Sequence, residues 1–220
     1  MRPWVPTNGY PRQMGVWADQ VLPRLTDRSL RSHHIGRLRE QACAGLRGAV
    51  LEVGFGSGLN VRWHPSTVHR VDAVEPSEVA WELSRRRRQD SPVTIARAGL
   101  DGQRLAADDA SYDAVLSTFT LCTIPGLDRA LAEFRRVLRP DGAVHFLEHG
   151  LAPDPEVVAW QHRLEPLQRR LAGGCHLTRD VPERLGAAGF TLDRLETRYL
   201  DGPAVSRAWT YVGLGRAVPG

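Results

Sequence analysis

The chain has 220 residues, of which 42% are hydrophobic and 25% charged, and its formal net charge at pH 7 is +4. This length allows one well-buried α/β domain and is short for two, and the composition is that of an ordinary globular protein. Apolar runs stay well below the roughly 20 residues that span a bilayer, and the N-terminus lacks the apolar segment of a signal peptide. We therefore expect a cytoplasmic protein without a transmembrane segment.

Residues 1–47 are predicted to form an N-terminal helical arm or lid in front of a single domain that spans 48–220. The first 30 residues are rich in Pro, Trp and Arg and suggest one short helix. A second helix is predicted over 31–47, because apolar residues recur there at the spacing of one helical face: Ile35, Leu38, Ala42 and Leu46.

Strand and helix patterns alternate through the middle of the chain. Five apolar runs predict strands: Ala49–Val53, Val71–Glu75, Val93–Ala96, Tyr112–Thr118 and Ala143–Glu148. Helices are predicted over Pro76–Gln89 and Gly126–Leu138, and a turn over Arg139–Gly142. Strands that alternate with helices are typical of a parallel, doubly wound sheet.

The pattern changes at the C-terminal end of the chain. Thr191–Leu200 and Ala208–Leu214 both read as strands, with Asp201–Pro203 between them. Two strands joined by so short a link must be antiparallel, because a parallel crossover needs a dozen or more residues. The expected fold is therefore an α/β fold with a doubly wound, mostly parallel seven-stranded sheet and an antiparallel C-terminal hairpin.

The first predicted strand runs directly into a glycine loop. Glycines stand at positions 54, 56 and 58, and the acidic Glu52 lies two residues before the first of them. Glycine is needed where the backbone turns sharply and approaches a ligand closely. The G-x-G-x-x-G spacing of dinucleotide-binding proteins is absent, since its third position would fall on Leu59 or Val61. The loop is therefore suited to a ligand without a pyrophosphate.

Two carboxylates follow the next predicted strands. Glu75 closes the second strand, where a carboxylate can accept hydrogen bonds from both hydroxyls of a ribose, and Pro76 then begins the next helix. The alternative for Glu75 is a helix-entry acid stabilised by the helix dipole. Asp101 follows the third strand and suits a contact to an adenine amino group. A plain turn aspartate is its alternative, and Gln103 could serve the same edge.

The cysteines and the basic residues predict neither a metal site nor a nucleic-acid surface. The three cysteines are widely spaced and form no C-x-x-C pair, so neither a disulfide framework nor a zinc knuckle is indicated, and we expect no bound metal. The run Arg85–Arg88 is interpreted as the solvated end of a helix. Because no aromatic residues are interleaved with it, we expect no nucleic-acid partner.

Taken as a set, the motifs resemble class I S-adenosylmethionine-dependent methyltransferases of the type 11 kind. The similarity extends from Leu46 to Leu147 and is carried by Leu51–Gly58, Glu75, Tyr112–Val115 and Arg136–Gly142. It implies a Rossmann-like fold with S-adenosyl-L-methionine as cofactor. The cofactor-binding residues that it implies are Glu52, Gly54, Phe55, Gly56, Gly58, Glu75, Pro76, Leu100, Asp101, Ser117 and Thr118.

A narrower resemblance concerns the group that includes the thiol S-methyltransferases and their bacterial homologues. It rests on Thr120–Ile124, Phe146–His149 and Gly174–Asp180, and on a helix cut short by His64-Pro65. The mammalian members carry an N-terminal membrane anchor, and they have Asn where His176 stands here. The resemblance implies methyl transfer to a small-molecule acceptor, with a thiol as the first hypothesis.

Residues near the ends of the later strands are candidates for the acceptor side of the site. His149 follows the fifth strand, with Glu148 beside it, and is predicted to act as a base or as a donor that positions the substrate. Its alternative is a histidine that caps a loop. Cys122 is expected to form an apolar wall rather than to act as a nucleophile, and Cys175-His176 are expected to line the acceptor pocket.

Other functions remain open at this level. The acceptor could be an oxygen or a nitrogen, including a phospholipid head group. A catalytically silent S-adenosylmethionine-binding module is an alternative from a different class. A nicotinamide oxidoreductase is the third, and the absent G-x-G-x-x-G argues against it. The oligomeric state is not indicated by the sequence.

Overall fold

A computed structural model of the chain describes residues 15–220. Seven strands form one sheet: β1 Gly48–Val53, β2 Val68–Val74, β3 Thr94–Gly99, β4 Tyr112–Thr118, β5 Leu138–His149, β6 Phe190–Tyr199 and β7 Tyr211–Pro219. Eight α-helices accompany them within the described part: α1 Leu22–Ser29, α2 His33–Cys43, α3 Glu78–Leu83, α4 Arg85–Gln89, α5 Leu127–Val137, α6 Pro155–Leu171, α7 Val181–Ala187 and α8 Arg207–Thr210. A π-helical turn, Trp17–Val21, leads into α1.

The strand order confirms the predicted fold. The sheet runs β3-β2-β1-β4-β5-β7-β6, and neighbours from β3 to β5 pair in parallel. Only β7 is antiparallel to its two neighbours, β5 and β6. The protein therefore has a Rossmann-like sheet with an antiparallel hairpin at one end.

Helices cover both faces of the sheet because side chains along each buried strand alternate between two apolar layers. On one face, Leu51 of β1 packs in a cluster with Leu131 and Phe134 of α5. On the other face, Val50 packs with Leu38 and the rest of the apolar side of α2. The predicted helix over 31–47 is therefore part of the core of the sheet.

Two predicted elements differ from the structure. The helix predicted over Pro76–Gln89 is divided at Ser84, whose hydroxyl donates to the carbonyl of Trp81 at 2.6 Å; such back-bonding competes with the helical ladder. The predicted turn Arg139–Gly142 is a bulge within β5, where the pairing register with β4 shifts.

The link of the C-terminal hairpin is longer than predicted. The strand expected from Ala208 starts at Tyr211, because α8 occupies the positions before it. Helices α6 and α7, which connect β5 to the hairpin, were not predicted. No helix within residues 15–220 is long and apolar enough to cross a membrane.

The buried histidine of β5 makes a testable contribution to pH stability. His145 is 5% exposed, and burial lowers its pKa to about 4. An unfolded histidine has a pKa of about 6.5, so the folded state binds fewer protons between these values. The contribution of His145 to the free energy of unfolding is therefore fully present above about pH 6.5. It falls by up to about 3 kcal/mol as the pH drops to about 4.

Chemical denaturation of the His145→Gln variant across pH 4 to 7 checks this expectation. The free energy of unfolding of this variant should fall less steeply between pH 6.5 and pH 4 than that of the unmodified protein. The control variant His69→Gln, which alters an exposed histidine on β2, should show the full fall. A slope that is the same in His145→Gln and in the unmodified protein would contradict the assignment.

Candidate active site

A cleft opens at the carboxyl ends of the parallel strands, where open α/β sheets bind their ligands. Its larger part, the outer cavity, has a volume of about 910 Å³ and lies beside the ends of β1 and β2. Its smaller part, the inner cavity, has about 410 Å³ and reaches over the glycine loop to the end of β5. The two are continuous, because Gly54, Pro76 and Thr120 line both.

The glycine loop forms the floor between the two cavities. All three glycines have positive φ, +74° at Gly54, +58° at Gly56 and +75° at Gly58, a conformation that favours glycine. A Cβ at Gly54 would lie 1.9 Å from Oγ1 of Thr120, so a side chain is sterically excluded there. Gly54, Phe55 and Gly56 line the inner cavity, and their contact with a cofactor stays a prediction.

Glu75 lies at the end of β2 with its carboxylate at the edge of the inner cavity. One oxygen accepts from the backbone N–H of Gly56 at 2.6 Å and the other from that of Ser77 at 2.7 Å. Burial raises the pKa of this carboxyl, and the two backbone donors oppose the rise. The residue therefore ties the glycine loop to the end of β2 and presents a fixed acceptor to the cleft.

The outer cavity contains the predicted adenine-contacting residues. Leu100 and Asp101 line it, and so does Gln103. One Asp101 oxygen accepts from both the backbone N–H and the side-chain amide of Gln103, at 2.9 and 3.0 Å. The Gln103 carbonyl oxygen in turn accepts from the N–H of Gly126 at 2.8 Å. Gln103 therefore stabilises the loop. Asp101 remains the better candidate for a contact to the adenine ring.

Several predicted cofactor residues lie beneath the cleft. Glu52 is buried and accepts from Nδ2 of Asn60 at 2.9 Å, with Nε2 of His64 at 3.1 Å. Ser117 donates to Glu148 at 2.8 Å, and Glu148 also accepts from the N–H of Thr120. Glu148 thereby holds the backbone that follows β4, whereas Glu52 contacts the side chains of Asn60 and His64. Direct binding of the cofactor by Glu52 and Ser117 stays a prediction.

Arg39 is a site residue that sequence reasoning missed. The residue is 4% exposed. Its guanidinium donates to Oδ1 of Asn60 at 2.8 Å and to Oγ1 of Thr118 at 2.7 Å, and it stacks on the ring of Phe119. Burial lowers its pKa to about 10, which leaves it charged near neutral pH. Its position on the apolar face of α2 was the available signal, because a charged residue is rarely buried there without a partner.

The candidate acceptor end of the cleft contains a cluster of two thiols and one imidazole. Nε2 of His149 lies 2.7 Å from Sγ of Cys175, whose sulfur is 3.5 Å from that of Cys122, and all three residues line the inner cavity. Contact with Cys122 and His149 lowers the pKa of Cys175 to about 5. Burial opposes protonation of His149, but contact with Cys175 outweighs it and raises the pKa of the imidazole.

Other predicted residues of the acceptor side point elsewhere. His176 lies outside the lining of the inner cavity, with Nδ1 at 2.7 Å from a carboxylate oxygen of Glu165 on α6. The same carboxylate accepts from the N–H groups of Leu177 and Thr178, so it fixes the segment that follows Cys175. Glu148 lies in the cleft floor, as described above.

Trp17, in the predicted N-terminal arm, lies away from the cleft. Trp17 donates its indole N–H to the carbonyl of Leu171 at 2.8 Å and lines neither cavity. Trp4 and Tyr10, which belong to the same predicted arm, lie outside the described residues. The inner cavity is bounded by α1, by Gln168 near the C-terminal end of α6, and by Gly173 in the segment that follows α6.

The fold and the site together define an enzyme class. A glycine loop after β1, a buried carboxylate at the end of β2 and an antiparallel seventh strand are the features of class I S-adenosylmethionine-dependent methyltransferases. A family model described as a methyltransferase domain matches residues 51–146. The chain belongs to this family of methyltransferases.

Relatives agree with that assignment, and a solved structure shares the fold. The human thiol S-methyltransferase TMT1A is 32% identical over 171 residues, 74% of this chain and 68% of that protein. TMT1B of Rattus norvegicus is 31% identical over 153 residues, 67% of this chain and 62% of that protein. A methyltransferase structure from Thermotoga maritima has a TM-score of 0.64 at 19% identity and covers 90% of this chain and 94% of its own. The chain thus spans about two thirds of the length of these thiol S-methyltransferases.

The residues of the cleft fit the family's cosubstrate. The glycine backbone leaves room for a ligand at the floor, and Glu75 offers the fixed acceptor that a ribose diol requires. Pro76, Leu100 and Asp101 line the part suited to the adenosine. When bound, S-adenosylmethionine supplies an electrophilic methyl group. The chain therefore carries the domain of an S-adenosylmethionine-dependent methyltransferase.

Proposed function

We propose that the protein transfers the methyl group to the sulfur of a small thiol. The observation that carries the proposal is the cluster of Cys122, His149 and Cys175 on the wall of the inner cavity. Apolar side chains such as Leu22 and Phe55 line the same cavity together with polar ones such as Arg39 and Gln168. The similarity to thiol S-methyltransferases supports the same acceptor class.

The chemistry of a thiol acceptor matches the groups present. Most of the catalysis of methyl transfer comes from holding the nucleophile, the carbon and the sulfonium in line. A thiol with a pKa of about 8.5 is partly ionised near neutral pH and needs little help from a base. We therefore assign His149 a positioning role, exerted through its contact with Cys175 on the cavity wall, rather than removal of the acceptor's proton.

An alcohol acceptor fits these groups less well. A hydroxyl keeps its proton at neutral pH and requires a general base with a free lone pair. Nε2 of His149 is engaged with the sulfur of Cys175 at 2.7 Å, and Glu148 is committed to Ser117 and Thr120. The proposal therefore favours sulfur over oxygen.

Release of S-adenosylhomocysteine against a panel of small thiols, phenols, amines and phospholipid head groups tests the proposal. We expect turnover confined to thiols, and background release in a Glu75→Ala control that cannot hold the cofactor. Turnover with phenols or amines but not thiols would overturn the thiol assignment. Tight cofactor binding without turnover on any acceptor would favour a silent binding module.

A further inference from the structure

Three soft donor atoms from distant parts of the chain converge at the wall of the inner cavity. The sulfurs of Cys122 and Cys175 and a ring nitrogen of His149 all lie within 4.8 Å of one another. Cys122 follows β4, His149 ends β5, and Cys175 follows α6. No metal was expected because these residues are widely spaced in the sequence. The fold nevertheless brings their donor atoms together.

We propose that Cys122, His149 and Cys175 bind one Zn²⁺ ion, with a fourth coordination position open to the inner cavity. Zinc lies about 2.3 Å from thiolate sulfur and about 2.0–2.1 Å from imidazole nitrogen in tetrahedral sites. That geometry separates two sulfurs by about 3.8 Å and a sulfur from a nitrogen by about 3.6 Å. The corresponding distances here are 3.5 Å between the sulfurs and 2.7 Å from Nε2 to Sγ of Cys175. A shift of the imidazole by about 1 Å therefore admits the ion.

The donor set and its surroundings select the kind of site. Two sulfurs and one imidazole favour zinc over magnesium or calcium, which prefer oxygen ligands. Structural zinc sites are closed by four protein ligands, whereas catalytic sites have three and keep one position open. All three donors line the cavity, and the neighbouring carboxylate of Glu148 is held by Ser117 and Thr120. The site is therefore of the open type.

The open position gives the ion a role in acceptor recognition, which rests on the proposed thiol specificity. The acceptor thiol fills this position as a thiolate and releases its proton to solvent. Its sulfur forms the new bond to the methyl carbon while the bond from that carbon to the sulfonium breaks. The electron pair of the broken bond stays on the cofactor sulfur, which becomes a neutral thioether. No oxidant or reductant is needed.

Zinc binding to the full chain, measured without cofactor or acceptor, tests the site. The protein is stripped with a chelator under reducing conditions, its three cysteines are confirmed as free thiols, and Zn²⁺ is titrated against a chromophoric chelator. We expect one zinc per chain and an affinity at least about 100-fold lower in Cys175→Ser and His149→Ala. The matched control is Cys43→Ala. Cys43 ends α2, is buried in the apolar layer between α2 and the sheet, and lies outside the cluster. This variant should bind zinc as the unmodified protein does.

A second measurement on the unmodified protein does not depend on the variants. Co²⁺ loading should give thiolate-to-cobalt charge-transfer absorption, and X-ray absorption of the zinc form should show two sulfur neighbours and one imidazole. Substoichiometric zinc, or equal affinity in Cys175→Ser and Cys43→Ala, would overturn the site. If the protein methylates only thiols but does not bind zinc, the zinc site is rejected and the thiol function stands. If it binds one zinc per chain but methylates only phenols or amines, the thiol function is rejected and the zinc site stands.

Discussion

The Glu75→Gln variant is expected to bind S-adenosylmethionine at least about 100-fold more weakly than the unmodified protein. A hydrogen bond to a charged group contributes about 1.5–3 kcal/mol, and two ribose hydroxyls donating to this carboxylate make about 3–6 kcal/mol. Even the lower figure is more than 100-fold in affinity. The amide also places an NH₂ group against the backbone donors of Gly56 or Ser77, which contact the two carboxylate oxygens.

Calorimetric titration with S-adenosylmethionine or S-adenosylhomocysteine measures this loss. Glu78→Gln is the matched control, since Glu78 is an exposed carboxylate near the same strand end and pairs with Arg97. Circular dichroism and thermal unfolding show whether each variant is folded. A folded Glu75→Gln protein with unchanged affinity would rule out the ribose assignment.

The same carboxylate predicts the pH dependence of cofactor binding. Burial raises the pKa of Glu75, so acidification protonates it at a higher pH than an exposed glutamate. Affinity should therefore fall on acidification while ordinary carboxyl groups are still ionised. Glu78→Gln should show the same fall, and Glu75→Gln should not.

The His149→Ala variant is expected to lose about 100-fold in turnover while its affinity for the cofactor stays unchanged. His149 lines the inner cavity beside Cys175 and lies outside the lining of the outer cavity. Misplacement of a reacting atom by about 1 Å can cost about 100-fold in rate. The loss should appear in kcat for thiol acceptors, and calorimetry should give the cofactor affinity of the unmodified protein.

Comparison of alkyl and aryl thiols separates placement of the acceptor from proton removal. An aryl thiol is already ionised near neutral pH, so it should regain most of its rate in His149→Ala if the imidazole were a base. We expect both kinds of thiol to lose rate to a similar extent, because placement is needed by both. His69→Ala, an exposed histidine on β2, is the control and should be fully active. Selective recovery of aryl thiols would assign His149 as the base.

The order of the elements and the motifs of the candidate cofactor side could be recognised from the sequence alone. Buried strands and amphipathic helices are periodic over a few residues, so β1, β4 and α2 could be recognised locally. The glycine loop could be recognised because its backbone needs positive φ at Gly54, Gly56 and Gly58. Glu75 could be placed because it ends a strand directly after that loop.

The direction of the polar side chains and the residues that meet at the candidate acceptor end depend on tertiary packing. Adjacent residues at a strand end point to opposite sides, which is why Glu148 lies in the floor while His149 lines the cavity. Cys122 and Cys175 are 53 positions apart, yet their sulfurs lie 3.5 Å from each other. No local pattern encodes such a contact, because it arises from the packing of the segment after α6 against the loop after β4.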